Sequence, residues 1–248
     1  MNQIEVRGMV ISAMPIGEFD KRLVLLTREK GKITVFAKGA RRQNSPFLAG
    51  SRPFSFGTFT IYAGRSSYGL TGITISEYFL KMTADITMTY YGFYFLELAD
   101  YFSKEGLDAK DTLNLLYAAF RAIEKQAVPL PLIRSIYELK MMVLQGIYPD
   151  FFSCRHCGRK TELHWYEAQT AGIYCDACKI HSKQTVKLQD STVYALQYIM
   201  SQPIDRLFSF QVIPAVQAQL EQIIGQFVKR YVDKPLNSLS VLETLTAD

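Results

Sequence analysis

The period of the apolar positions changes near residue 84 of this 248-residue chain. Between residues 4 and 78, apolar and polar residues alternate, which is typical of strands with one buried face. Ile33 and Val35, for example, fall on one face of a strand whose other face carries Phe36. Five such segments are predicted, at residues 6–14, 21–28, 32–38, 53–62 and 68–78. Five short strands favour a small closed barrel of the OB-fold type, although a five-stranded SH3-like barrel has a similar pattern.

After residue 84 the apolar positions recur every three or four residues, which predicts helices whose stripes form a core. The first stripes are Tyr91, Phe95, Leu98 and Phe102; Leu113, Leu116, Phe120 and Ile123; and Leu132, Ile136, Leu139 and Val143. A later helix is predicted to be capped by Asp190 or Ser191, and another to begin at Pro214. The buried side predicted for that last helix is Val216, Leu220, Ile223, Phe227 and Tyr231. The fold class is therefore α+β, with a barrel domain at residues 1–80 and a helical domain at residues 81–248.

The only four cysteines form two Cys-x2-Cys pairs, Cys154 with Cys157 and Cys175 with Cys178. Seventeen residues separate the pairs, a spacing typical of a tetrahedral zinc site. Two disulfides or four buried thiols are the alternatives, and scattered cysteines would favour them. We predict one structural Zn²⁺ bound by these four residues, in a zinc-ribbon-like insertion at about residues 149–182.

The positive charge of the chain is concentrated in its first third. Residues 1–80 contain eleven lysines and arginines and five acids, a net charge of +6, whereas the remainder carries −1. This asymmetry favours a polyanion-binding module, although a solvated basic face has the same composition. The candidate phosphate contacts are Lys38, Arg41 and Arg42, aided by Lys21, Arg22, Arg52 and Arg65. Phe54 and Phe56 follow in the fourth strand, where core packing is favoured over base stacking.

No catalytic arrangement is recognisable in the sequence. The three histidines, His156, His164 and His181, all lie within or beside the cysteine segment, without a nucleophile or phosphate-loop motif. We therefore predict that the protein is not an enzyme. The sequence also lacks a signal-peptide pattern and an apolar run of membrane-spanning length, so we expect a soluble cytoplasmic protein without membrane contact.

Motifs along the whole chain resemble the RecO family of bacterial recombination mediators. The similar segments are Gly17–Asp20, Leu25–Lys32, Ala37–Arg42, Ser45, Arg52–Phe54, Glu77, Gly146–Pro149, Cys154–Gly158, Gly172–Cys178 and Leu236–Leu239. Arg52 departs from the family pattern, which commonly has a polar or apolar residue before Pro-Phe. The resemblance implies an OB-fold followed by a helical domain with a zinc-binding insertion.

The resemblance also implies a function in DNA repair at the bacterial nucleoid. It implies binding of single- and double-stranded DNA and annealing of complementary strands. It further implies action with RecR to load RecA onto DNA coated by single-strand-binding protein, through the C-terminal tail of that protein. One alternative is a protein–protein adaptor whose helical domain is the main functional surface, with DNA contact secondary. Another is a metal-dependent nucleic-acid enzyme, for which the sequence offers no carboxylate pair or open metal site.

Overall fold

The computed structural model describes residues 3–64 and 67–245. Arg65, one of the predicted DNA contacts, lies outside these residues. The strands are β1 (Gln3–Ile16), β2 (Asp20–Thr27), β3 (Gly31–Ala37), β4 (Phe56–Ala63), β5 (Tyr68–Glu77), β6 (Leu163–Glu167), β7 (Gly172–Cys175) and β8 (Thr185–Lys187). The helices are α1 (Leu80–Thr83), α2 (Ile86–Phe102), α3 (Lys110–Lys125), α4 (Leu130–Leu144), α5 (Asp190–Ser201), α6 (Pro214–Tyr231) and α7 (Asn237–Leu245).

The first five strands close into a barrel in the order β1-β2-β3-β5-β4. Strand β1 pairs with both β2 and β4, and its register with β2 shifts between Val10 and Ser12. Such a shift bends a strand and lets one long strand serve two neighbours. At Gly8 a Cβ atom would lie 2.4 Å from the carbonyl oxygen of Leu26, so only glycine fits there. Strand β5 returns to pair with β3 in parallel and β4 antiparallel, which confirms the predicted OB-fold barrel.

The barrel encloses the apolar face that the alternation predicts. Ile33 and Val35 of β3 are buried, while Phe36 is half-buried on the opposite face. The buried members of this core are Val6, Val10, Leu23, Leu25, Ile33, Val35, Ala37, Ala40, Phe59, Ile61 and Leu70. The prediction for the strand faces is therefore confirmed.

Phe54 and Phe56 are buried, but outside the barrel interior. The Phe54 ring lies 4.8 Å from that of Phe93 on α2, and the Phe56 ring lies 4.7 Å from that of Tyr117 on α3. Phe54 takes a left-handed backbone, with φ of 72°, to reach this position. Both rings are core residues, as predicted, but the expectation that they fill the barrel as part of one strand is wrong, because they pack against helices and Phe54 precedes β4.

The described residues divide into two compact units. The first contains the chain up to Glu124 together with the segment from Leu236, and the second spans Lys125–Pro235. In the first unit α7 packs on α2, where the backbone and hydroxyl of Ser238 both donate to the carboxylate of Glu97. The domain boundary near residue 80 stays a prediction, because the division of the chain into compact units does not test it.

The second unit combines three helices with a three-stranded sheet. Helices α4, α5 and α6 pack on one another, and the sheet has the order β7-β6-β8. The buried Lys140 of α4 donates to the carbonyl oxygens of Met200 and Gln202 at 3.0 and 2.7 Å. A cation at these carbonyls stabilises the C-terminal end of α5.

Two details of the predicted helices are wrong. The residue that caps α5 is Gln189, because Asp190 already lies in the first turn and its carboxylate is 2.8 Å from Nε2 of His164. Tyr231, predicted on the buried side of α6, is 39% exposed because α6 ends at this residue. The predicted Val216, Leu220, Ile223 and Phe227 are buried. No helix in the described part of the chain has the length and apolar character needed to span a membrane.

Candidate nucleic-acid surface and metal centre

A basic loop, defined here as residues 38–42, follows β3 and is exposed at Lys38, Arg41 and Arg42. Gly39 has φ of +67°, a left-handed conformation that suits glycine. Its backbone N–H donates to the carboxylate of Asp20 at 2.7 Å. The hydrogen bond ties the start of the loop to the beginning of β2.

The turn of the β1–β2 hairpin holds the other end of the basic loop. The backbone N–H of Arg41 donates to the carbonyl oxygen of Phe19 at 2.8 Å, and its guanidinium donates to that of Gly17 at 3.2 Å. The guanidinium of Arg42 lies over the Phe19 ring, 5.1 Å from its centre. The loop is therefore supported by backbone and ring contacts, and its arginines remain exposed to solvent.

Lys21 lies behind the loop. Its ammonium donates to the carbonyl oxygen and the hydroxyl of Ser51, both at 2.9 Å. Burial lowers the pKa of the Lys21 ammonium, and the positive charges of Arg52 and Arg41 lower it further. The structure thus brings Lys21, Arg41 and Arg52 into electrostatic contact.

These cations have no acidic counterpart in the described part of the chain. Among residues 3–64 and 67–245, no carboxylate forms an ion pair with Lys21, Lys38, Arg41, Arg42 or Arg52. Like charges held together raise the free energy of the unbound protein, and a bound anion would relieve this repulsion. The arrangement favours a phosphate ligand.

A cleft of about 590 Å³ beside β3 and β5 contains two aromatic rings that are not among the predicted contacts, and one of them, Tyr68, also packs against the barrel core. It is lined by the half-buried Phe36 of β3 and Tyr68 of β5, together with the exposed Arg22 of β2. The ammonium of Lys30 lies 5.8 Å from the centre of the Tyr68 ring. An available signal was the single aromatic residue, Phe36, on the otherwise polar face of β3.

The side chains of Lys21 and Arg22 lie on opposite faces of β2, because successive residues of a strand point to opposite faces. Lys21 has the same parity as the buried Leu23, whereas Arg22 stands beside Phe36, its partner across β2 and β3. A guanidinium nitrogen of Arg22 also lies 3.1 Å from the Met14 sulfur. The predicted cations thus divide between the basic loop and the aromatic cleft.

The four cysteines come together in the second unit as free thiols. Their sulfur atoms all lie within 4.8 Å of one another, and those of Cys157 and Cys175 are 3.7 Å apart. Zinc–sulfur bonds of about 2.3 Å place tetrahedral sulfurs about 3.8 Å apart, so the site fits the ion. The four residues can hold a metal ion, as predicted from their spacing.

The first cysteine pair has the backbone of a metal knuckle. The N–H of Gly158 donates to the carbonyl oxygen of Cys154 at 2.8 Å, and Gly158 has φ of +74°. Burial alone would raise the pKa of Cys154, but backbone N–H groups of Cys157, Cys175 and His156 outweigh it and lower the pKa to about 6. This thiol is therefore deprotonated at neutral pH, the form that binds metal.

The pKa of Cys178 shifts in the opposite direction. Burial, and hydrogen bonds that its own S–H donates to the sulfurs of Cys157, Cys175 and Cys154, raise it to about 12. A thiolate at Cys154 makes ionisation of the neighbouring Cys178 thiol unfavourable unless a cation is present. A metal ion held by these four residues would supply the positive charge that ionisation of all four thiols requires.

A groove of about 470 Å³ lies elsewhere in the second unit, between α5 and the segment that leads into α6. Its lining is mainly aromatic and aliphatic, and includes Tyr194, Tyr198, Phe210 and Ile213. Tyr194 and Ile213 are 67% and 59% exposed. Exposed apolar side chains around a concave surface are typical of sites that bind a ligand or a peptide.

Comparisons with known proteins cover nearly the whole chain. Residues 1–79 match the family model described as Recombination protein O N terminal, and residues 83–240 match the one described as Recombination protein O C terminal. A DNA repair protein RecO from Alkaliphilus metalliredigens is 30% identical over 244 residues, which cover 98% of this chain and 99% of the relative. The protein of the same name from Acetivibrio thermocellus is 26% identical over 247 residues, covering 99% and 98%. That from Bacillus pumilus is 29% identical over 231 residues, covering 92% and 89%.

Proposed function

This chain belongs to the RecO family of DNA repair and recombination proteins, and we propose that it acts as a non-catalytic mediator that binds single- and double-stranded DNA. The observation that carries the proposal is the basic loop with Lys21 and Arg52 behind it, a group of cations without acidic partners among the described residues. Lys38, Arg41, Arg42 and Arg52 hold phosphates from this surface, since each is exposed. Arg65 is proposed as a further phosphate contact from its sequence position alone.

Lys21 contributes by positioning. Its ammonium is already bound to Ser51, so it places positive charge behind Arg41 and Arg52 and fixes the segment that carries Arg52. Arg22 contributes at the aromatic cleft, where the outward-facing ring of Phe36 provides a face on which an unpaired base stacks. Phosphate contacts serve both kinds of DNA, whereas the cleft serves only single strands.

Strand annealing follows from the same charge arrangement. Two complementary strands repel each other through their phosphates, and a cationic surface that holds both lowers this repulsion. The family context supports action with RecR in helping RecA to load onto DNA coated by single-strand-binding protein. It also supports a location in the cytoplasm, at the nucleoid.

The metal site supports this function indirectly. We assign one structural Zn²⁺ to Cys154, Cys157, Cys175 and Cys178, since their sulfur separations fit a tetrahedral ion. The ion would tie the two cysteine knuckles together, and four protein ligands leave no position for a reacting water. The thiolates themselves hold the segment in place and take no part in DNA chemistry.

The experiment is an anisotropy titration of a labelled 30-nucleotide single strand at several salt concentrations. The double variant R41A/R42A is expected to bind more weakly, and its plot of log affinity against log salt to be shallower by about 1.4, at about 0.7 for each lost phosphate contact. The variant K229A/K234A removes two exposed lysines from the other unit and is the matched control. Equal affinity and slope for R41A/R42A and the unaltered protein would contradict the proposal.

A second candidate function, protein–protein adaptor, is favoured by the groove between α5 and α6. Its aromatic lining suits the acidic and hydrophobic C-terminal tail of single-strand-binding protein. Calorimetry with a synthetic tail peptide is expected to show binding that I213D abolishes. Ile213 is exposed and occupies the N-cap of α6, where aspartate is favourable, so the variant should fold. Absence of peptide binding by the intact protein would contradict the adaptor function.

A further inference from the structure

The chain has one tryptophan, Trp165, and the functions proposed above do not use it. Trp165 lies on β6, the central strand of the sheet β7-β6-β8 beside the cysteine cluster. The next residue, Tyr166, is buried against Phe151, so the two neighbours face opposite sides of the sheet. Trp165 remains half-buried, with part of its indole ring open to solvent.

Contacts from two other segments fix the orientation of the indole ring. Its N–H donates to the carboxylate of Asp176 at 2.7 Å. The ammonium of Lys179 lies 5.0 Å from the ring centre, and that of Lys187, the partner of Trp165 across β6 and β8, lies 5.6 Å from it. Both lysines are exposed. The ring is therefore held in place with two cations beside it.

The carboxylate of Asp176, which contacts the indole, already has hydrogen-bonding partners. Asp176 accepts from the indole, and its carboxylate oxygens both lie 3.1 Å from Nδ1 of His164. The ammonium groups of Lys179 and Lys187 form no ion pair with a carboxylate within residues 3–64 and 67–245. Both ammonium groups lie over the indole ring, and Lys187 also interacts through its charge with Asp176, so a phosphate that approaches the ring competes with these weak contacts and with no ion pair.

We propose that Trp165, Lys179 and Lys187 form a second contact for single-stranded DNA, separate from the barrel. An unpaired base stacks on the indole in place of the ammonium groups that lie over it, and these move outward to neutralise the phosphates on either side of the base. Double-stranded DNA is excluded from this contact because its base faces are not accessible. The inference does not depend on the assignment of the basic loop, since it concerns residues of the other unit.

A single strand fits these residues better than an acidic peptide does. Peptides that add to a sheet need a free edge, whereas β6 already has β7 and β8 on its two sides. A flat ring with two exposed, flexible lysines over it suits the alternation of flat bases and phosphates along a nucleic acid, because the lysines can follow the phosphates while a base meets the ring. An acidic peptide of matching charge is accordingly the competing occupant in the test.

The single tryptophan provides the measurement, because fluorescence excited at a wavelength selective for tryptophan reports on Trp165 alone. Addition of a 30-nucleotide oligo-dT strand to the intact protein is expected to quench this fluorescence saturably, and a duplex of equal length to quench it less. By anisotropy, W165A is expected to bind the strand at least about fivefold more weakly, and W165F to recover most of the loss. K179A/K187A is expected to weaken binding and flatten its salt dependence, relative to the control K229A/K234A.

Two features keep the test decisive. K179A/K187A changes only exposed side chains, so it tests the contact even if W165A unfolds. Absence of quenching at saturating oligo-dT, together with wild-type affinity and salt slope in K179A/K187A, would overturn the proposal. Quenching by a poly-glutamate peptide but not by oligo-dT would overturn it in favour of a protein partner.

The outcome is distinguishable from a failure of the barrel proposal. In R41A/R42A the Trp165 quenching is expected to persist at raised oligo-dT concentrations. If R41A/R42A binds normally while W165A and K179A/K187A bind weakly, the second contact stands and the basic loop does not.

Discussion

Lys21 and Ser51 are joined by two hydrogen bonds, in which one ammonium donates to both the carbonyl oxygen and the hydroxyl of a buried serine. The pair links β2 to the segment that carries Arg52, and it holds a positive charge close to Arg41 and Arg52. A cation held in this way is costly in the free protein and favourable when phosphate arrives. The basic loop is therefore arranged for an anion before the anion binds.

The first prediction concerns the titration of Lys21. Its pKa is lowered from the ordinary value of 10.5, so the folded state disfavours its charged form. The resulting penalty on folding is fully present at neutral pH and is relieved as the pH rises through the folded pKa toward 10.5. Bound phosphates favour the charged form, so saturating single-stranded DNA is expected to raise the pKa of Lys21. An NMR titration of ¹³C-labelled lysine side chains measures both values, with the exposed Lys229 as reference, and an unchanged pKa in the complex would count against phosphate binding here.

The second prediction concerns the aromatic cleft. F36A is expected to weaken single-strand binding at least fivefold, since a stacked base contributes about 1–3 kcal/mol. Phe36 is half-buried on the outer face of β3, so the thermal unfolding midpoint should change little, whereas Tyr68 packs against the barrel core and Y68A is expected to lower the midpoint. F36L keeps apolar bulk without a flat ring and should bind as weakly as F36A, whereas F36Y should bind normally. Equal loss of duplex binding in F36A would indicate a structural role instead.

The parts of the fold that the sequence predicts are those set by local periodicity. Alternation along β3 and the leucine and aromatic stripes of α2 to α4 are properties of neighbouring residues, so strand faces and helix faces follow directly. The partners of Phe54 do not follow, because its contacts with Phe93 and Phe120 join distant segments through a left-handed backbone at Phe54. The spacing of the four cysteines likewise predicted correctly that their sulfur atoms lie close together.

The aromatic cleft and the role of Lys21 depend on the closed barrel. Phe36 and Tyr68 line one cleft only because β3 pairs in parallel with β5, a contact between segments thirty residues apart in the chain. Lys21 and Arg22 carry the same charge and are adjacent in the sequence. They lie in different surroundings because successive residues of β2 point to opposite faces of the strand. Charge counting therefore selects these cations together and does not distinguish the basic loop from the aromatic cleft.

The third prediction concerns the metal. C175S is expected to lose zinc and to lower the thermal stability of the unit at Lys125–Pro235, because Cys175 is fully buried among the other ligands. The phosphate contacts of the basic loop belong to the other unit and should survive. Zinc content by atomic absorption and unfolding by calorimetry provide the measurements. Loss of DNA binding in C175S with unchanged unfolding would give the cysteines a direct functional role.

The fourth prediction concerns the anchor of α7. E97A removes the carboxylate that accepts from both the backbone and the hydroxyl of Ser238, and leaves the donors of this buried residue without that partner. It is expected to lower the free energy of unfolding by about 1–3 kcal/mol in urea denaturation. E243A, which removes an exposed acid from α7 itself, is the control and should have little effect. Equal stabilities of the two variants would contradict the anchor.

The most direct measurement of the central claim is photo-cross-linking of the intact protein to an oligo-dT strand that contains 5-bromodeoxyuridine, followed by peptide mass spectrometry. The account predicts cross-linked peptides from residues 17–42 and from the segment around Tyr68, where the basic loop and the aromatic cleft lie. Their yield should fall in R41A/R42A and persist in K229A/K234A. Cross-links confined to residues 125–235, with none from residues 3–77, would contradict the claim that the barrel is the principal DNA-binding surface.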